Sequence, residues 1–479
     1  MPIISGEDFI RRIGAMKPTI WLNGQKVKER LPDHPEFNGI LNSQRLLYDI
    51  QNKPELKDIM TFQSETTGDI IGTSYLIPRN KEDLVKRRHM IQTWAKETGG
   101  LMGRSPDYMN TALTAFASSA HLLEGKEGCF PERLQAFYEN ARQRDLSFTH
   151  TFINPQNNRS TLAYLDENTL NARIVDRTSE GIMVRGAKLL ATQGGITDEL
   201  LVFSTPSTRD ISEAYMFSIP TDTKGLSFVC RQSFLTSQSS YNSPLASRLE
   251  EMDSIIIFDS VVVPWERVFI YDNPYAVSDL YRDSAFIPLN LHQAVSRQII
   301  KLELLIGVAE SLVRSLAIAE YHHVQEKIAS MIKGLRTAQA LLFYAEEKGE
   351  EQDGVYLPHR DTLYMAVNLF QEHYPKYTEM VQHLGASGMI SIPSEEDFQS
   401  QMGNDLRYYL QANSLNGEER VALFRLAWEL TMSSFGTRQT QFERFFFGDP
   451  VRVTQTIYQT YSFEEEMELV KKFLRDEEQ

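Results

Sequence analysis

The chain has 479 residues, 42% hydrophobic and 24% charged, with 49 Lys and Arg against 64 Asp and Glu for a formal charge of −15. That length offers about three domains at roughly 150 residues each, and the acidic balance argues against a nucleic-acid or anionic-membrane surface, which needs clustered cations. Two cysteines (Cys129 and Cys230), a start without a basic or long apolar stretch, and no run of 18 apolar residues suggest a reduced, cytoplasmic protein without a membrane span.

In chain order, Glu7–Met16 has apolar residues at helical spacing, and Asn80 is placed to cap a helix running through Trp94, with acidic residues in its first turn. Gly103–Asn110 reads G-R-S-P-D-Y-M-N, a proline turn feeding a helix from about Tyr108 to Leu123, with Asp107 as its cap acceptor. The Ala, Ser and Thr of that helix allow close approach of another backbone or a flat ligand. Residues 1–145 are therefore expected to form a mainly helical domain.

The period changes near Leu146. Phe148–Arg159 reads F-T-H-T-F-I-N-P-Q-N-N-R, with a histidine between two threonines and an Asn-Pro turn. Asn171–Arg177 and Gly181–Gly186 flank Thr178-Ser179-Glu180 as a hairpin, and β-rich runs follow at Glu199–Ser204, Ala214–Ile219, Leu226–Arg231 and Ser254–Val263. Residues 146–275 are expected to form a compact β domain. Past Ala285 the texture is helical again, over 276–479. Arg297–Glu320 is apolar on almost every face, as in the centre of a bundle or an oligomer core, and Glu419–Phe435 repeats that character. The acidic run Glu346–Asp353 reads as a solvated loop. Helices, then strands, then helices, with no βαβ alternation and no Gly-x-Gly-x-x-Gly, exclude a dinucleotide-binding doubly wound fold.

Arg104 is either a surface cation or a fixed charge facing a small polar spot. His150 is either a satisfied core group or a proton exchanger titrating near neutrality, and Tyr108 either faces the same polar spot or is packed. Phe445, Phe446 and Phe447 cannot all face one core, so at least one meets a neighbouring subunit or a cofactor. Neither His322-His323 nor His359, His373 and His383 have metal-ligand spacing, so no metal is expected.

With Gly186–Thr192 (G-A-K-L-L-A-T) and Glu443–Pro450 (E-R-F-F-F-G-D-P), these segments resemble the oxygenase component of the two-component, flavin-dependent 4-hydroxyphenylacetate 3-monooxygenases, along nearly the whole chain. The resemblance implies an α+β, acyl-CoA-dehydrogenase-like fold: N-terminal helical domain, central β domain, C-terminal helical bundle. It implies FAD delivered as FADH2 by a separate NAD(P)H:flavin reductase, O2 as co-substrate, and ortho-hydroxylation of a small phenol to a catechol through a C4a-hydroperoxyflavin. Arg104, Tyr108 and His150 would surround the phenolic hydroxyl, with Ser204 and Thr205 beside the substrate. His150, Thr151, Phe152, Gln156, Asn157, Arg159 and Thr192 would line the flavin. Phe446, Phe447, Gly448 and Asp449 would lie at the flavin of an adjoining subunit in a homotetramer. A halophenol or simple phenol, or a flavin-binding homologue without chemistry, is the alternative. The related 4-hydroxybutyryl-CoA dehydratases need three cysteines and a histidine for a cluster. Here His292 is present, but Ile299 stands where a cysteine ligand is expected.

Overall fold

The computed structural model describes residues 2–156 and 170–474. Its first helix, Gly6–Ala15, starts on Ser5, whose hydroxyl accepts from Asp8 N while the Asp8 carboxylate accepts from Ser5 N. That reciprocal cap satisfies two N–H groups that a helix start otherwise leaves unpaired. Asn80 caps Lys81–Thr98 as expected, accepting from Asp83 N at 2.9 Å.

Two expectations in this region need correction. The helix after the proline turn runs Pro106–Ser118, followed by a separate 3-10 turn at Ala120–Leu123. Asp107 lies inside its first turn and does not cap it: Pro106 takes the first helical position, and the buried Asp107 carboxylate instead accepts from Gln293 Nε2 at 2.7 Å. The helical first third of the chain also supplies two strands to the central sheet, Thr19–Leu22 and Gln25–Lys26.

The six-stranded sheet runs in the order Gln25–Lys26, Thr19–Leu22, Leu226–Cys230, Asp253–Pro264, Gly181–Thr192, Arg173–Arg177. Thr19–Leu22 pairs parallel to Leu226–Cys230, and the other neighbours are antiparallel, including the expected hairpin around Thr178-Ser179-Glu180. A four-stranded sheet has the order Val268–Tyr271, Tyr215–Pro220, Glu199–Phe203, Phe148–Thr151, its last pair parallel. A bridge between Ile153 and Leu189 ties the two sheets together just beyond His150.

Phe286–Ser315 is a 30-residue helix, buried almost continuously from Phe286 to Leu302. It packs on Lys81–Thr98, Pro106–Ser118, His322–Glu347 and Arg360–Gly385, which explains why its sequence is apolar on most faces. The expected Glu419–Phe435 helix is two helices, Gly417–Thr431 and Ser434–Phe445; Ser433 caps the second by accepting from Gly436 N. The acidic run is not a solvated loop throughout. Glu346 is buried at the end of His322–Glu347, 2.8 Å from both His292 Nε2 and Arg88 Nε. Glu350–Gln352 pairs with Val355–Leu357 across Asp353-Gly354, both left-handed at φ 49° and 77°.

Candidate active site

The site is assembled where the Gly99–Ser105 connection, the edge strand Phe148–Thr151 and the end of Ser434–Phe445 meet. Gly99 ends Lys81–Thr98 in the left-handed region. Gly103 is required by close approach: a Cβ there would lie 2.5 Å from Cζ of Phe442. The turn then delivers Arg104 inward.

Arg104 is only 8% exposed, so it is not a surface cation. Its guanidinium carbon sits 4.6 Å from the Tyr108 ring centroid, 5.0 Å from that of Phe446 and 5.8 Å from that of Phe442. Nη1 donates to Gly103 O at 3.2 Å, Nε has no partner, and among the described residues no carboxylate forms an ion pair with it. Burial lowers its pKa, but an arginine so placed remains a cation.

His150 is buried with its ring centroid 5.7 Å from those of Phe152 and Phe203, both nearly parallel to it, and 5.8 Å from that of Tyr108. Burial, then the Arg104 charge, hold the imidazole well below its usual 6.5, so it is neutral, and its Nδ1 has no partner among the described residues. Burial raises the Tyr108 phenol against the opposing pull of Arg104 and Arg297, leaving it a protonated donor. The Phe446 ring is 5.1 Å from Tyr108 and Phe447 stands edge-on to Phe446 at 4.8 Å; these contacts lie within one chain. Phe445 points outward.

Arg104, Tyr108, His150, Phe152, Phe446 and Phe447 are thus brought together. Other anticipated residues are occupied elsewhere. Ser204 Oγ donates to the carbonyl oxygens of Glu213 and Tyr215, and the Thr205 hydroxyl meets those of Ser207 and Thr208 at 3.2 Å within its own turn. Thr151 Oγ1 donates to Leu189 O at 2.9 Å, and Thr192 Oγ1 to Asp253 at 2.8 Å. Gly448 turns the chain at φ 106°, Asp449 caps Pro450–Thr460, and Gln156 is exposed. Asn157 and Arg159 lie outside the described residues.

Sequence reasoning missed Phe203, Phe442 and the charges behind them. Glu443, inside the quoted E-R-F-F-F-G-D-P motif, binds Arg297 at 2.7 and 3.0 Å and Lys301 at 2.8 Å. Burial pushes its carboxyl up, but those two cations outweigh it and hold it at about 2. A charged residue two places before an aromatic run was the available signal. Among the described residues, no group of three His, Cys, Asp or Glu is arranged to hold a metal, and no helix is long and apolar enough to cross a membrane.

Family models described as 4-hydroxyphenylacetate 3-hydroxylase N terminal and C terminal match residues 5–270 and 277–475. The chain belongs to that hydroxylase family. It is 50% identical to a probable 4-hydroxyphenylacetate 3-monooxygenase of Bacillus subtilis, covering 99% of each chain. With the 4-hydroxyphenylacetate 3-monooxygenase oxygenase component of Thermus thermophilus the identity is 40%, over 98% of this chain and 97% of that one. A solved oxygenase component complexed with FAD and 4-hydroxyphenylacetate superposes with a TM-score of 0.93 at 40% identity, covering 98% of both chains. The hydroxylase fold here is thus the α+β, acyl-CoA-dehydrogenase-like one. An archaeal 4-hydroxybutyryl-CoA dehydratase from N. maritimus, 21% identical with a TM-score of 0.89, shares the fold alone; here His292 Nε2 is engaged by Glu346.

Proposed function

We propose that this chain is the oxygenase component of a two-component monooxygenase that uses FADH2 and O2 to hydroxylate a 4-hydroxyphenylacetate-like phenol ortho to its oxygen, giving a catechol. The observation that carries this reading is Arg104, a buried guanidinium without an ion-paired carboxylate among the described residues, beside a neutral histidine and a tyrosine. A phenol ordinarily titrates near 10, and each unit of lowering corresponds to about 1.4 kcal/mol of preference for the anion. Arg104 supplies that preference, which makes the ortho carbon the better nucleophile. The neutral His150 faces the phenol with its Nδ1 as hydrogen-bond acceptor, and the Tyr108 hydroxyl donates to the phenol oxygen.

The residues present suit a flavin. The half-buried rings of Phe152, Phe446 and Phe447 offer aromatic faces, and the unpaired Arg104 Nε and His150 Nδ1 offer polar atoms to a flat ring with a polar edge. Those residues, with the Thr151 and Thr192 segments behind them, would hold FAD. When bound in its reduced form, FAD would supply the two electrons that activate O2, one atom of which enters the phenol while the other leaves as water. The aromatic wall excludes water that would otherwise divert that oxygen to peroxide.

The relatives' designation as oxygenase components supports a separate NAD(P)H:flavin reductase as partner. We further read a cytoplasmic homotetramer divided at 1–145, 146–275 and 276–479. The outward apolar residues Val451, Tyr458 and Phe473 on the C-terminal helices support assembly. A phenol without a carboxylate, such as a halophenol, is the second reading, favoured by the internal commitment of the Ser204 and Thr205 hydroxyls. The deciding experiment supplies reduced FAD, by chemical reduction or from any flavin reductase, to a panel of phenols and separates catechol from peroxide. Catechol from 4-hydroxyphenylacetate, and no turnover with NADH alone, are expected. Oxygen consumption with peroxide as the sole product from every phenol would sink the hydroxylase reading.

A further inference from the structure

We propose that Glu251 is a positioning residue of this site, which aims the Arg104 guanidinium at the phenolic oxygen by gripping the Gly103-Arg104 backbone. The inference rests on the reading of Arg104 given above. Glu251 is buried at the entry to the strand Asp253–Pro264. One carboxylate oxygen accepts from Gly103 N at 2.9 Å and the other from Arg104 N at 2.7 Å. Gln193 completes the grip. Its Nε2 donates to Arg104 O at 3.3 Å and to Glu251 at 3.1 Å, so the Arg104 residue is held at both its N–H and its C=O.

The clamp is itself fixed. Gln193 N donates to the carbonyl oxygens of Glu251 and Met252 at 3.1 and 2.8 Å. Gln193 and Met252 both adopt left-handed backbone, at φ 62° and 53°. Non-glycine residues sit there only when their surroundings over-determine them.

The form of the grip matters chemically. A carboxylate placed on the guanidinium would fix it and neutralise it together. Glu251 holds Arg104 through its backbone, so the side chain is aimed while its charge stays available for a phenolate. Glu251's own charge is answered by Arg438, 3.2 Å away, which also binds Asp253 at 2.6 Å. Fixing and neutralising are therefore assigned to different atoms.

Charge and aim make opposite demands, which gives the test its sign. Glu251→Gln removes a negative charge near the site; if charge alone mattered, a bound phenol would ionise more readily. If aim matters, it ionises less readily. The probe is 4-nitrophenol, whose phenolate absorbs apart from the phenol, titrated with pH as a difference spectrum on the full chain saturated with oxidised FAD. The wild type is expected to lower the ionisation pH of the bound phenol, and Arg104→Gln to abolish that lowering. Glu251→Gln should lose about tenfold in the bound phenol's ionisation constant, with kcat for hydroxylation falling while O2 consumption persists. Glu251→Asp keeps the charge for Arg438 and draws the carboxylate back by one methylene. It should shift the same way, and it serves if the Gln variant does not fold. Ionisation in both Glu251 variants as in wild type, with Arg104→Gln still defective, overturns this proposal alone. Equal ionisation in wild type and Arg104→Gln overturns the reading of Arg104 and this inference with it.

Discussion

Arg297 and Arg104 approach the same two rings, Phe442 and Phe446, from different elements, yet their charges are treated in opposite ways. Arg297 comes from the centre of the long helix, with both terminal nitrogens on Glu443 and a further bond to Gly100 O at 2.8 Å. Arg104 meets one carbonyl and three aromatic faces. A buried charge normally requires a partner; the first arrangement specifies the fold, and the second leaves its charge free for the phenol we propose. Within a few ångströms of the same phenyl rings, one arginine therefore serves architecture, and the other is the one we propose for chemistry.

The hardest test of that division is Glu443→Gln, which strands Arg297 and Lys301. Breaking such a buried set costs about 3–5 kcal/mol, to be read from denaturant midpoints. Acid adds a signature. With its folded value at about 2 against an ordinary 4.5, Glu443 contributes stability that is full above about 4.5 and lost as pH falls toward 2. That part of the wild type's acid sensitivity should be missing from the variant.

Arg104→Ala should do the reverse, leaving unfolding stability near wild type. Hydroxylation should fall by roughly 10- to 150-fold, the value of one charge-assisted hydrogen bond of about 1.5–3 kcal/mol. Oxygen consumption with reduced FAD should continue and peroxide should rise; an Arg104→Ala protein that no longer consumes oxygen would assign Arg104 to the flavin instead. A third comparison uses the acidic run. Glu346→Gln weakens the bonds to His292 and Arg88 and should cost about 1–3 kcal/mol. Exposed Glu350→Gln should stay within about 0.5 kcal/mol. The last effect, read from pH, concerns His150. Because burial holds it neutral in the folded chain, only the unfolded chain takes up its proton below about 6.5. Stability should therefore be full above that pH and decline below it, by at most about 1.4 kcal/mol per pH unit. His150→Gln should flatten that slope.

Much of this was legible in the residues because it is local. Asn80 three residues before Asp83, the Thr178-Ser179-Glu180 turn and the apolar faces of the long helix each carry their own signal. The arrangement of Arg104 was not legible in the same way: its burial is made by Phe442 and Phe446, more than three hundred positions later, so spacing alone left a surface cation in play. Glu346 looked solvated among acidic neighbours because only the helix phase turns it toward His292. Ser204 was expected beside the substrate; its hydroxyl reaches two carbonyls 9 and 11 positions on, and spacing alone does not show which partner it takes. The strand Thr19–Leu22 was hidden for a similar reason: four residues have little period of their own, and their partner strand is remote.

That remoteness also bears on how the molecule is made. Thr19 pairs with Ser227, so the strand's partner leaves the ribosome about two hundred residues after it. At about 5–20 residues per second, the wait is roughly 10–40 s. For that interval Trp21 and its neighbours present an open strand edge beside apolar side chains, the surface on which nascent chains stick to one another. A holding chaperone at this strand would therefore matter most in the interval before Leu226–Cys230 is made.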